Sequence, residues 1–189
     1  MADQLYLSYW LRNHTELTML RNYEKMLKLF PFSRLARQPS TFRVIAVDYS
    51  EAPVLEIPLP SPVAVDGVLA AAHDFQNGAS CYRWETWWDL WQFDRKWELT
   101  PSRAALCCYG PDFERENGEH LVIEFGIDAH FLPQPEIPNS LRMIQSNIKS
   151  LLKLVHDLDD ALPVETRRLW SESGDNFSDK LHQALSAAQ

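Results

Sequence analysis

The chain has 189 residues, 46% hydrophobic and 23% charged, which excludes wholesale disorder and gives enough length to bury a core without disulfide or metal staples. Eighteen Lys and Arg against 26 Asp and Glu leave a formal charge of −8, which argues against binding duplex nucleic acid through its phosphates. Aromatic residues reach 12%, with seven Trp, the one compositional departure from an ordinary globular chain.

The opening residues Met1-Ala2-Asp3-Gln4 lack a basic stretch before an apolar one, and no run approaches 18 apolar residues, so the reading predicts neither signal peptide nor membrane span. Cysteines occur at 81, 107 and 108; an odd count with two adjacent is a poor disulfide framework and fits a reducing cytoplasm.

Leu5–Leu11 reads as a strand. Asn13-His14-Thr15-Glu16 then has the capping-box pattern before Leu17, Leu20, Tyr23, Leu27 and Phe30 at helical spacing, with Pro31 as the stop. Thr41–Tyr49 is a β-branched and aromatic strand, and Val54–Ile57 a short one that Pro58 is expected to end. Val65–Gln76 carries a helical apolar stripe and stops at Asn77-Gly78. Cys81–Phe93 fits two periods: Trp84, Trp87, Trp88 and Trp91 make a helical stripe, while Tyr82, Trp84, Thr86, Trp88 and Leu90 alternate. Aromatic and Thr content favours the strand, which completes a ferredoxin-like βαββαβ start.

Arg103–Tyr109 and Leu121–Ile127 add two more strands, for an α+β fold with an antiparallel sheet of about six strands. Phe42, Val44 and Ala46 oppose Ile45, Val47 and Tyr49, both sets apolar, so the sheet is expected to be covered on both faces. The predicted division is a sheet domain, 1–132, and a Pro-rich linker with a helical tail, 133–189. In that tail Leu141, Ile144, Ile148, Leu151, Val155, Leu158 and Leu162 repeat in steps of three and four, ended by Pro163. Such a stripe covers the chain's own sheet or forms a seam with a second copy. A final helix starts near Asn176.

No Walker loop, G-x-G-x-x-G, H-E-x-x-H, G-x-S-x-G or C-x-x-C motif is present, and nothing in the sequence implies a metal or cofactor. The six histidines are scattered; His120 with Glu124, and Asp128 with His130, share spacing without a third ligand. Cys107-Cys108 lies in an apolar run and reads as buried. The best candidate surface is the other face of the Trp strand: Arg83, Glu85, Trp87, Asp89 and Trp91, each about 7 Å from the next. Two acids flanking an indole beside a guanidinium suit a polar ligand, or acid/base work if another strand completes the geometry. The structural alternative is a set of cross-strand ion and aromatic pairs.

Two functional classes follow. One is a non-catalytic domain that binds a protein partner or itself, through the heptad residues Leu141, Ile144, Ile148, Leu151, Val155 and Leu158 and the aromatic sheet face. The other is a small-ligand protein or hydrolase using Arg83, Glu85 and Asp89 with Trp87 and Trp91. A concave pocket lined by these side chains favours the second; a flat or buried face disfavours it.

Overall fold

The computed structural model describes residues 3–62 and 64–187. Along the chain run β1 (Gln4–Leu11), α1 (Met19–Leu29), β2 (Ser40–Ala46), β3 (Leu55–Leu59), α2 (Val65–Asp74), β4 (Ser80–Asp94), β5 (Lys96–Tyr109), β6 (Leu121–Ile127), a 3-10 turn (Asp128–Phe131), α3 (Ser140–Ala161), β7 (Val164–Ser171) and α4 (Phe177–Ala187). The strands form one antiparallel sheet in the order β3-β2-β4-β5-β6-β1-β7, which makes the fold α+β. No helix among the described residues is long and apolar enough to cross a membrane.

The chain order does begin βαββαβ, but the sheet is not ferredoxin-like. That arrangement seats the first strand beside the third and fourth strands of the βαββαβ unit, whereas β1 lies between β6 and β7 and pairs with neither β3 nor β4. The strand count is seven rather than six. The extra strand, β7, comes from the C-terminal segment, so the segment is not wholly helical.

The Trp-rich segment is a strand, and a long one. β4 and β5 form a hairpin paired from Cys81↔Tyr109 to Asp94↔Lys96, with Arg95 turning at φ 67°. Two prolines sit inside strands where the ladder can spare a donor. Pro58 is on the edge strand β3, and Pro101 lies in a part of β5 that β6 does not reach. The predicted capping box does not cap α1. Asn13 takes a left-handed turn at φ 54°, and Thr18 Oγ1, which accepts from Thr15 N at 2.9 Å and donates to Asn13 O at 2.7 Å, organises the entry to the helix.

One face of the sheet carries the core: Leu5, Leu7, Tyr9 and Leu11 of β1, Phe42 and Val44 of β2, Trp84, Trp88 and Leu90 of β4, and Ile123 and Phe125 of β6. All four helices pack against it. The heptad stripe supplies α3's share, with Ile144, Ile148, Leu151, Val155 and Leu158 buried and Leu141 half-buried. Asn147, in the same stripe, turns its amide onto the β4 backbone. Its Oδ1 accepts from Trp91 N at 2.8 Å, and its Nδ2 donates to Trp91 O at 2.9 Å and His130 O at 2.8 Å. At the far end Lys180 of α4 meets Asp128 and Asp3, at 2.5 and 3.1 Å, pinning the helix beside the start of β1.

The expected second cover is largely missing. The buried apolar side chains on the other face form a small cluster of Ile45, Cys81, Ala105, Cys107, Tyr109 and Val122, capped by Phe113. Arginines and carboxylates occupy much of the rest of that face, and such a surface needs water or a polar ligand rather than a helix.

Candidate functional site

The β registers set the open face out in rows. One row runs Thr41, Glu85, Ala105, Glu124, Tyr6, Trp170, so two carboxylates stand on either side of a methyl group. Beside it runs Arg43, Arg83, Cys107, Val122, Ser8, Arg168; on the other side Trp87 lies opposite Arg103. Small side chains at Ala105 and Gly126 leave a recess of about 250 Å³, walled by Arg83, Glu85, Trp87, Arg103, Glu124, Thr41 and Gln4. Gly126 has φ +80°, a conformation that disfavours any side chain, and a Cβ there would meet Arg103 O at 3.4 Å.

Charge on the walls is locked by geometry. Arg83 reaches across the small Cys107 to grip both oxygens of Glu124, at 2.7 Å each, and its Nε lies 3.3 Å from Glu85 Oε1. Arg43 binds the other Glu85 oxygen at 2.9 Å and Glu56 at 2.5 Å. Burial pushes the Glu85 carboxyl up, but the hydrogen bonds and charges of Arg43 and Arg83 outweigh it and hold the group below the usual carboxylate range. For Arg83, burial works against the charge and the bidentate bond to Glu124 more than restores it. Arg103 differs: its guanidinium lies 5.4 Å from the Trp87 ring centroid and pairs with no carboxylate among the described residues.

No family model, curated protein or solved structure matches this chain. Its chemistry is therefore read from this face alone.

Of the five side chains singled out on the Trp strand, Arg83, Glu85 and Trp87 line the recess. Asp89 does not; it accepts from Ser33 Oγ at 2.5 Å and Arg34 N at 2.9 Å, and so fastens the loop after α1. Trp91 lies beyond the recess, its backbone held by Asn147. The residues that single-strand reasoning missed, Arg103, Glu124, Thr41 and Gln4, come from four other strands. Arg103 was within reach of it, because the Asp94–Lys96 turn fixes which residue faces Trp87.

The histidines take another arrangement. His120 does not join Glu124; its ring stacks on His14, centroids 4.3 Å apart at 13°. His14 Nε2 donates to Tyr109 O at 2.7 Å and Nδ1 accepts from Asn22 Nδ2 at 3.2 Å, while His120 Nδ1 accepts from Leu11 N at 2.8 Å. These bonds suit neutral rings. Among the described residues no three His, Cys, Asp or Glu converge as metal ligands. All three cysteines are buried, and burial pushes the Cys107 thiol up to about 11 and raises Cys81 and Cys108 as well, which leaves poor nucleophiles.

Burial, followed by the neighbouring His120, lowers His14 to about 4 against the partial support of its bond to Tyr109, and burial lowers His120 too. Because the folded values lie below the ordinary one near 6.5, the unfolded chain takes up protons first as pH falls. Stability is thus complete at pH 7 and is lost from about pH 6.5 down to about 4, by roughly 3 kcal/mol from His14 alone. Thermal unfolding across that range should show a falling Tm, with a shallower fall in His14→Gln; an unchanged wild-type Tm between pH 7 and 4.5 would count against this account.

Proposed function

We propose that the protein is a non-catalytic binding protein for a small molecule, seated in the recess over Ala105 and Gly126. The observation that carries this reading is the recess itself: a gap in an otherwise bulky face, walled by side chains already locked in place. Preorganised walls spare a ligand the entropic cost of ordering them. At about 250 Å³ the space suits a ligand smaller than a typical drug.

A hydrolase with two carboxylates needs one of them held protonated to act as acid. Here Glu85 is displaced the opposite way, and Glu124 gives both oxygens to Arg83. The thiols are protonated and the stacked imidazoles are occupied by hydrogen bonds. These side chains support recognition better than bond cleavage.

A protein partner is the second reading, with one observation on its side. Beside the recess Tyr6 stacks on Trp170, centroids 4.7 Å apart, and Arg168 lies 5.1 Å from the Trp170 ring, a grouping typical of interface anchors. The heptad stripe offers less to a partner, since most of it is buried against the chain's own sheet.

The test is a screen of small metabolites by thermal unfolding. A ligand at one hundred times its dissociation constant should stabilise the protein by about 2.7 kcal/mol. Ala105→Leu, which fills the recess, should abolish the gain, as should Trp87→Ala if the leucine variant folds poorly. Stabilisation that survives both changes would place binding elsewhere and defeat the proposal.

A further inference from the structure

We propose that the ligand is a small monocarboxylate with a flat apolar body, its carboxylate on Arg103 and its body against Trp87 and Ala105. This rests on the small-molecule reading above and adds the chemical class. The recess holds two arginines and two glutamates. Arg83 is consumed by Glu124 and Glu85, and each of the four glutamate oxygens already has an arginine partner. Of the two recess arginines, only Arg103 has no carboxylate partner among the described residues, and its guanidinium stands 5.4 Å from the indole of Trp87.

A guanidinium presents paired N–H donors in one plane, which an oxyanion such as a carboxylate meets with two oxygens and a spherical anion cannot. The charge state follows from the surroundings. One unpaired cation next to two glutamates, on a chain of net charge −8, favours a monoanion over phosphate or a polyanion. A cationic ligand would have to displace arginines from bonds of 2.7 to 3.3 Å. The body must be thin and apolar, because the floor between the two carboxylates is only the Ala105 methyl group, with the Trp87 ring as one wall.

Calorimetric titration with benzoate, benzamide, benzylamine and inorganic phosphate tests the assignment. Benzoate should bind more tightly than the other three, and Arg103→Gln should weaken it about tenfold or more while leaving Tm unchanged, since Arg103 is exposed and ties no element down. Ala105→Leu should remove binding. Benzylamine or phosphate bound in preference, or benzoate indifferent to Arg103→Gln, would overturn the monocarboxylate. Neutral or cationic molecules that bind wild type but not Ala105→Leu would leave the small-molecule reading standing and remove only the class. A recess that takes no molecule of any charge would remove both.

Discussion

Replacing Ile148 or Val155 with aspartate is expected to destabilise the protein severely rather than release a smaller folded species. Both side chains are under a tenth exposed and lie in the core between α3 and the sheet. An unpaired carboxylate there would cost several kcal/mol, about 4 or more, against a total stability of about 5–15 kcal/mol for a domain. Leu152→Asp is the control on the same helix, because Leu152 is 51% exposed and should tolerate the charge. Light scattering and circular dichroism separate the outcomes. A folded variant of lower mass than the wild type would make the heptad stripe an intersubunit seam and contradict its placement in the core.

The second large effect belongs to Asn147. Leucine has nearly its shape but would leave Trp91 N–H, Trp91 C=O and His130 C=O without their partner at the edge of β4. Unmet backbone groups cost about 1–3 kcal/mol each when buried, and a loss of about 3 kcal/mol allows for partial access of water. For a chain of this size that is a fall in Tm of roughly 6–12 °C. A change below about 1 kcal/mol in denaturant unfolding would show that the amide is dispensable.

Asn147 also marks where sequence reasoning reached and where it stopped. The steps of three and four around it identified α3, and the same stripe is the one buried, because an amphipathic helix records its own buried face. Alternation likewise identified β4 and its two faces, and with them Arg83, Glu85 and Trp87. β7 escaped because Val164-Glu165-Thr166-Arg167-Arg168 is an exposed edge that pairs only with β1, so little apolar period is written into it. The rest of the site escaped for a related reason: Arg103, Glu124 and Gln4 meet through register, which depends on turns and on distant strands. The apolar residues at Ile45, Val47 and Tyr49 suggested a second covering layer. The structure uses Ile45 in a small cluster, leaves Val47 and Tyr49 about half exposed, and places ion pairs on the adjoining surface.

The position of β1 has a consequence for synthesis. Residues 12–120 separate it from β6, and β7 is made later still, yet β1 is held between these two strands. While the chain is on the ribosome, β1 therefore waits with both edges unsatisfied until β6 and β7 have emerged. Loop closure over that distance makes the sheet slow to form, and Leu5, Leu7, Tyr9 and Leu11 stay available to chaperones, or to other nascent chains, throughout the delay.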